Sequence, residues 1–298
     1  MVIVLAQEVS ESEKFITPIE KIQDISRAPH VSETSNTSLY RGPARDFEQL
    51  CRAFALVHDR YLKLGYMEQH ESGMRYSLLN LLPQSTTFVV EDEGGIAGTL
   101  SVVIDSQAGL PGSAEFGDEF SELRTQGRIV AEATMFACRE ESTKNLDVSL
   151  QLMAVAFGWC IETGVDDLCM IVNPRHVGFY EKVLGFERLG KEKPMGHVEG
   201  HAGIMLRCNV TAVLTGQGLI TRQAARLLKS AESLGSLSFN RFQLLEPEVS
   251  VLLDFCPEIL IHGERIHREM VEYCFPLACA AVEENYGYVP SLDGLETF

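Results

Sequence analysis

Basic residues are scarce in this sequence. Its 298 residues include 25 lysines and arginines against 42 aspartates and glutamates, which gives a formal net charge of −17. A surface of that sign repels nucleic-acid phosphates unless a basic stripe is segregated, and no such stripe is visible along the chain. We therefore expect no nucleic-acid partner.

Long apolar runs are also missing. No stretch reaches the roughly 18 residues that a membrane-spanning helix requires. The N-terminal MVIVLAQ is short, has no basic residue beside it and lacks a small-residue cleavage site. On this basis we expect a soluble, cytoplasmic protein.

Paired cysteines and metal-ligand spacings are absent as well. The eight cysteines stand singly among apolar neighbours, without a CxxC pair, so reduced and mostly buried thiols are the expectation. Glu264 and His267 have the spacing of a helical carboxylate–histidine pair, but no second pair of this kind follows in the C-terminal part. We predict no metal site.

Hydrophobic periodicity divides the chain into three parts. Residues 1–36 end in a polar stretch without periodicity and are predicted to be poorly ordered. Residues 37–210 carry helix and strand patterns in the order helix, hairpin, strand, helix, strand, helix, strand, strand, which predicts one mixed α/β domain. Residues 211–298 are almost entirely helix-like, which predicts a helical C-terminal region.

Two segments of the α/β part carry local signals. Residues 109–127, GLPGSAEFGDEFSELRTQG, are punctuated by glycine and proline and predict one short helical turn. The next helix is predicted to be capped by Asp147 and to stop at Gly164.

Polar residues follow the buried strand that ends near Val172. Pro174 stops that strand because it lacks an N–H donor, and Asn173, Arg175 and His176 then lie at the strand's carboxyl end, where loops build sites. We predict that Asn173 and Arg175 bind substrate and that His176 has a catalytic role. The alternative for His176 is the first polar residue of the following helix.

The pattern of residues 172–190 resembles the last third of the GNAT acyltransferase fold. There a strand, a short helix of the form xxFYxxxLGFxxLG and a closing hairpin follow one another, as in VNPRHVGFYEKVLGFERLG here. The resemblance implies a mostly antiparallel central sheet flanked by helices, and it implies that Tyr180 lies near the thioester sulfur and protonates the leaving thiolate. The alternative is that Tyr180 belongs to the apolar face of its helix.

Glycines are missing where that superfamily usually carries them. Its Q/R-x-x-G-x-G/A loop cradles the pyrophosphate of coenzyme A on backbone amides. Residues 138–153 read CREESTKNLDVSLQLM, with no glycine and with two carboxylates, Glu140 and Glu141, that repel phosphate. The resemblance then points to acyl carrier protein as the acyl donor rather than acyl-coenzyme A, with no tightly bound cofactor.

Four segments in one order resemble the long-chain N-acyl amino acid synthases, GNAT-fold relatives of the acyl-homoserine-lactone synthases. They are VHDRYLKLGYM, GIAGTLSVVIDS followed by GLP, FSELRTQGRIVAEATMFA, and VNPRHVGFYEKVLGFERLG. The resemblance covers most of residues 40–210. It implies transfer of a fatty acyl group from acyl carrier protein to the amine of an amino acid.

Glu132 matches the acidic residue that the lactone synthases hold on their central strand. By that resemblance it holds the substrate ammonium group or accepts its proton; the alternative is an inward polar residue tied to an arginine. No Arg-Phe follows Glu132 as in the relatives' E-x-S-R-F, and GTLSVV lacks their arginine. Their exact substrate is therefore not expected here.

Further basic residues are candidates for anion contacts. Arg124 and Arg128 flank a glycine before the central strand and are predicted to clamp a substrate carboxylate or face the carrier phosphate, with solvated charges as the alternative. Arg222, Arg226 and Lys229 form a basic helical face that could dock an acidic carrier protein or a membrane surface, or simply be solvated.

The sequence therefore predicts an N-acyltransferase. Two other functions stay open: an acetyl-coenzyme A-dependent N-acetyltransferase of a small amine, and a catalytically silent acyl-binding or interaction module. The apolar run Leu78, Leu79, Leu81 and Leu82 could line a groove for a long acyl chain, with ordinary core as the default.

Overall fold

A computed structural model of the chain describes residues 40–139, 145–214 and 242–286. The segment predicted to be poorly ordered, residues 1–36, lies outside the described residues. So do the basic face of Arg222, Arg226 and Lys229 and the two carboxylates Glu140 and Glu141.

An eight-stranded sheet forms the centre of the structure. Its strands are β1 (Tyr40–Pro43), β2 (Ser85–Asp92), β3 (Gly95–Ile104), β4 (Val130–Cys138), β5 (Asp167–Val172), β6 (Glu187–Arg188), β7 (Lys193–Pro194) and β8 (Ala202–Asn209). The order is β1-β2-β3-β4-β5-β8-β6, with β7 paired to β8. Strands β4 and β5 run parallel, and the other described pairs are antiparallel. The predicted GNAT-like fold class is confirmed.

Helices pack on the sheet, and the last of them come after the final strand in the chain. They are α1 (Phe47–Lys63), α2 (Leu78–Leu81), α3 (Ser113–Thr125), α4 (Asn145–Glu162), α5 (Val210–Leu214), α6 (Glu246–Phe255), α7 (Glu258–Ile261), α8 (Arg265–Cys274) and α9 (Pro276–Tyr286). Three short pieces, Pro174–His176, Val177–Phe179 and Tyr180–Leu184, follow β5 in direct succession. We call residues 174–184 the aromatic helix; it ends at Gly185, whose φ of +75° suits glycine.

Three local predictions need correction. Residues 109–127 contain the 13-residue helix α3, not one turn, because Phe116, Phe120 and Leu123 form a buried stripe at helical spacing that outweighs the glycines. Helix α4 begins at Asn145, so Asp147 lies in its first turn and is not the cap. The predicted element order begins with a helix, whereas strand β1 comes first; its four residues are too few for a periodic signal, and it is held by pairing with β2.

The two faces of the sheet are covered by different helices. On one face, α4 packs Leu152 and Trp159 into a core that includes Ala131 and Ala133 of β4. On the other face, the buried stripe of α3 packs with Val130 of β4 and with neighbouring strands. Side chains alternate along a strand, so Glu132 points to the α3 face.

The C-terminal helices share an apolar core with α1 and α2. Leu252 of α6 and Val271 of α8 belong to the same buried cluster as Phe54 and Leu78. The hydroxyl of Tyr76 donates a hydrogen bond to the carbonyl of Leu252 at 2.5 Å. The domain boundary at residues 210 and 211 stays a prediction.

No helix among the described residues is long and apolar enough to cross a membrane. The eight cysteines all lie within the described residues and form no disulfide there; Cys138 and Cys274 are half-buried and the other six are buried.

Candidate active site

Strands β4 and β5 separate partway along their length. Their pairing begins at Val130 and Asp167 and stops at Ala133 and Met170. Strand β4 continues to Cys138 and β5 to Val172 without further pairing between them. The gap between these unpaired ends, which we call the splay, opens where the sequence placed the end of a strand at Asn173 and Pro174.

Strand β4 is irregular at the splay. Its register with β3 shifts between Thr99 and Ser101, and Met135 opposite this shift has a φ of +53°. A non-glycine residue in the left-handed region costs about 1–3 kcal/mol and clusters at functional sites. Such a bulge changes the direction of the backbone amides of β4 where β5 has left its side.

The carboxyl of Glu132 is buried just below the splay. Glu132 is 3% exposed, and its Oε2 accepts a hydrogen bond from the Gly112 backbone amide at 2.8 Å. Burial raises the pKa of Glu132 to about 8; the Gly112 hydrogen bond opposes this shift, and the charge of Glu115 adds to it. Among the described residues no arginine or lysine forms an ion pair with Glu132, so the predicted alternative of an arginine partner does not hold.

Glu115, whose charge acts on Glu132, contacts a loop of the β7–β8 connection. Its Oε1 accepts a hydrogen bond from the Gly196 amide at 3.0 Å. The neighbouring His197 has a pKa lowered by burial, with the charge of Glu115 acting in the opposite direction.

Arg75 reaches the same loop from the opposite side. Its Nη2 donates to the carbonyl oxygen of His197, and its guanidinium lies 5.2 Å from the ring centre of Tyr61 on α1. Its buried Nε has no hydrogen-bond partner. Burial lowers the pKa of Arg75, and the charges of Tyr61 and Glu199 oppose this shift, although no described carboxylate lies within ion-pair distance of the guanidinium. A half-buried guanidinium in this state is suited to an anionic ligand.

Tyr180 approaches the splay from the α4 face. Its ring contacts Phe179 at 5.2 Å and Phe186 at 5.9 Å between centroids, within the core below the aromatic helix. Burial raises the pKa of Tyr180 to about 12, and nearby Cys138 and Tyr61 add to the shift. Tyr61 on α1 is therefore close enough to Tyr180 for the two phenols to interact electrostatically.

The residues after β5 surround the entrance to the splay. Asn173 accepts a hydrogen bond from the Arg175 amide at 3.2 Å and so caps the aromatic helix. The exposed Arg175 donates to Nε2 of His176 at 2.9 Å and to the hydroxyl of Tyr66 at 3.3 Å. The pKa of His176 is lowered by partial burial and by the Arg175 charge. With Nε2 occupied by Arg175, His176 positions that guanidinium.

Arg124 and Arg128 lie away from the splay in ion pairs. Arg124 holds Asp105 through two bonds of 2.6 and 2.9 Å. Arg128 holds the fully buried Asp167 with its Nε and, at 2.9 Å, its Nη2, and Arg207 binds the same carboxylate at 2.8 Å. Both arginines are held in these ion pairs, and their predicted contact with a substrate carboxylate or the carrier phosphate stays a prediction.

Candidate metal ligands occur in two places. Glu264 and His267 are 3.8 Å apart, but Nε2 of His267 lies 2.9 Å from the carbonyl of Ala108. His70, Cys256 and Glu258 bring ligand atoms within 4.8 Å of one another. The two ring nitrogens of His70 face different partners, Cys256 at 3.7 Å from Nδ1 and Glu258 at Nε2, and Nδ1 also accepts from the Ser72 amide. These contacts form a hydrogen-bonded cluster around His70.

Three site residues were missed from the sequence: Tyr61, Tyr66 and Arg75. Tyr61 reads as one more apolar position of an amphipathic helix, and the other two lie in a loop without periodicity. Their association with the splay depends on contacts with residues more than a hundred positions away, such as His197 and Arg175.

Comparison with known proteins gives a family and a fold. The family model described as N-acyl amino acid synthase FeeM matches residues 52–209, more than half of the chain. The solved structure of FeeM, an N-acyl amino acid synthase from uncultured soil microbes, is similar with a TM-score of 0.53 and 25% identity, over 62% of this chain and 97% of that chain. No curated protein matches the chain.

Two homoserine-lactone synthases are more distant. LasI is similar with a TM-score of 0.45 and 16% identity, over 64% of this chain and 100% of its own. The coenzyme A-dependent BjaI is similar with a TM-score of 0.47 and 13% identity, over 73% of this chain and 100% of its own. Both similarities are too weak to carry an argument about this chain.

Proposed function

Because the chain belongs to the family of the N-acyl amino acid synthase FeeM, an acyltransferase family, we propose that it joins a long-chain fatty acyl group from acyl carrier protein to the amine of an amino acid. The observation that carries this proposal is Glu132, a buried carboxyl with a pKa raised to about 8 at the base of the splay. The product is an N-acyl amino acid and the released carrier thiol.

The amine is prepared by Glu132. A carboxylate whose pKa is raised to about 8 is a stronger base than an ordinary carboxylate and is better matched to accept a proton from the substrate ammonium group. The neutral amine then attacks the thioester carbonyl, a C–N bond forms and the C–S bond breaks. The second proton on the attacking nitrogen leaves to solvent as the amide forms. The bulged backbone of β4 at Met135 supplies amides to the carbonyl oxygen as negative charge develops on it.

The acceptor's carboxylate is held by Arg75. The proposal rests on the half-buried position of this guanidinium, its Nε without a partner, and its contact with Tyr61 beside the splay. A planar guanidinium binds a carboxylate through two parallel hydrogen bonds. An acceptor bound in this way would present its amine towards Glu132, which is linked to the same loop through Glu115.

The leaving sulfur lies near Tyr180. With a pKa near 12, the phenol is a weaker acid than the departing thiol, whose pKa is about 8.5. We therefore assign Tyr180 a hydrogen bond to the sulfur that strengthens as charge builds on it, and the thiolate takes its final proton from solvent or the carrier. This modifies the full proton transfer predicted from the sequence.

The donor is bound as a carrier thioester. Arg175 is exposed at the entrance, oriented by His176 and Tyr66, where it can contact the single phosphate of a pantetheine arm. The sequence of residues 138–153 has no glycine for a coenzyme A pyrophosphate loop. The proposal that the acyl chain is long is supported by the family alone.

Purified protein supplied with each donor tests the proposal. We expect N-acyl amino acids from long-chain acyl carrier protein, weaker formation from long-chain acyl-coenzyme A, and none from acetyl-coenzyme A. Glu132→Gln should abolish product, while Glu181→Gln, a matched change in an exposed ion pair with Arg188, should leave it unchanged. Preferred use of acetyl-coenzyme A would establish the N-acetyltransferase alternative, and inactivity with every donor would favour the silent module.

A further inference from the structure

A cavity of about 540 Å³ lies at the seam between the sheet and the C-terminal helices. Leu81 and Leu82, beside the start of β2, form one wall, and Phe242, Tyr273 and Phe275 form the facing wall. Pockets for small molecules commonly measure about 300–1,000 Å³. None of the residues assigned to the splay lines this cavity, so it is a second site.

Two side chains of this cavity carry buried polar atoms without hydrogen-bond partners, Nδ2 of Asn80 and Oγ of Ser85. Thr86 has a third such atom, but side chains alternate along β2, so its hydroxyl lies on the opposite face of the strand from that of Ser85. Asn80 is 6% exposed, so bulk water does not reach it freely. An unpaired buried polar group costs about 1–3 kcal/mol, and two beside one cavity indicate that an occupant supplies the missing hydrogen bonds.

The orientation of the Asn80 amide is fixed by its neighbour. Its Oδ1 accepts hydrogen bonds from the Ser77 backbone N–H at 2.9 Å and from the Ser77 hydroxyl at 3.0 Å. The amide oxygen is therefore committed to the start of α2, and the N–H donors of Nδ2 are the free groups. Asn80 thus offers a donor for an acceptor atom such as a carbonyl oxygen.

The described lining contains no charged side chain and no histidine. An anion such as a free fatty acid or a phosphate would enter without a counter-ion, which is costly in a buried site. A bare acyl chain would leave both polar groups unpaired. The aromatic wall and the leucines favour a compact apolar or aromatic body.

We propose that this cavity binds a neutral small molecule that combines a carbonyl group with an apolar or aromatic body. The carbonyl oxygen accepts from Nδ2 of Asn80 and from the hydroxyl of Ser85, and the body packs between the leucines and the aromatic wall. Because the ligand touches both the start of β2 and the end of α8, it ties the C-terminal helices to the sheet. This site does not depend on the function proposed above.

Fluorine NMR on the full chain tests the proposal with two probes of the same shape, 4-fluorobenzamide and 4-fluorobenzoate. We expect saturable binding of the neutral amide and at least tenfold weaker binding of the anion. Asn80→Asp keeps an oxygen for Ser77 but removes the free donor, so it should weaken amide binding at least tenfold. Asn209→Asp is the matched control, since the Asn209 oxygen likewise accepts a backbone N–H, from Ala212 at 2.8 Å, away from the cavity.

Ser85→Ala is a second variant that removes only the hydroxyl, and it decides the question if the thermal melt shows that Asn80→Asp does not fold. We expect a several-fold loss of amide binding. The proposal is overturned if the amide does not bind saturably, if both probes bind equally, or if neither variant changes the affinity. It is also overturned if crystals soaked in the amide show only ordered water in the cavity.

Discussion

Glu132 and Gly112 are joined by a single hydrogen bond of 2.8 Å between a buried carboxyl and a backbone amide. One neutral donor compensates only part of the cost of burying a carboxylate, which is why the pKa of Glu132 rises to about 8 instead of falling. A carboxyl tied to an arginine would be a permanent anion; this one can exchange a proton near neutral pH.

The pH dependence of the reaction should report this proton. The rate at saturating substrate should rise with pH to a plateau with a midpoint near 8, because the base must be ionised. Glu115→Gln removes a negative charge that raises the pKa of Glu132, so the midpoint should move to lower pH. Initial rates between pH 6 and 9.5 measure both effects. An unchanged midpoint in Glu115→Gln would mean that the charge of Glu115 does not influence the ionisation of Glu132.

The same pKa shift predicts a stability effect. Below the ordinary carboxyl value of 4.5 Glu132 is protonated in both states, and between 4.5 and about 8 only the unfolded state loses its proton. The folded protein therefore loses stability as pH rises through this window, by up to about 1.4 kcal/mol per pH unit. Glu132→Gln keeps the Gly112 hydrogen bond and removes this loss.

Urea unfolding of wild type and Glu132→Gln at pH 5.5 and 8.5 checks that prediction. The variant should gain in relative unfolding free energy at the higher pH. A difference that does not change with pH would mean that Glu132 ionises normally in the folded protein.

Arg75 should act on the acceptor's carboxylate. Arg75→Met removes charge-assisted hydrogen bonds worth about 1.5–3 kcal/mol, so the KM for the amino acid should rise about 10- to 100-fold. The effect should disappear with the corresponding amino-acid amide, which has no carboxylate. Arg124→Met is the control, since Arg124 is engaged by Asp105; an equal rise in KM for acid and amide would refute the assignment.

The ion-pair network around Asp167 should matter for stability only. Asp167 is fully buried and binds both Arg128 and Arg207, so Asp167→Asn should cost about 3 kcal/mol of unfolding free energy. Activity per folded molecule should be retained. Denaturant unfolding measures the stability, and rates divided by the concentration of folded protein measure the activity. A changed KM for the amino acid with unchanged stability would mean that Arg128 does contact the substrate.

The sequence was informative where one segment decides the structure. The apolar spacing of α1 and the β-branched runs of β2 and β3 predicted their elements, and Pro174 marked the end of β5 at the splay. The length of helix α3 was predicted too short because the glycines and the proline outweighed its apolar spacing. Its apolar stripe is stabilised only by packing on the sheet.

The site was only partly predictable for a related reason. Glu132 was found through a family resemblance, but its raised pKa depends on its burial and on the lack of a cationic partner among the described residues. Arg75 has no local signal in the sequence. Its Nη2 donates to the distant His197 carbonyl and its Nε has no hydrogen-bond partner, and neither fact can be read from neighbouring residues. Arg124 and Arg128 looked identical in kind to Arg75 along the chain, and their partners Asp105 and Asp167 decide the difference.

The most direct test of Glu132 as the base of an N-acyl transfer is mass spectrometry of lipids from bacteria that express the protein. Wild type should produce N-acyl amino acids, Glu132→Gln should lose them, and Glu181→Gln should retain them at equal protein levels. The account is contradicted if wild type yields no N-acyl amino acid while the purified protein acetylates amines from acetyl-coenzyme A. It is equally contradicted if Glu132→Gln yields as much product as wild type.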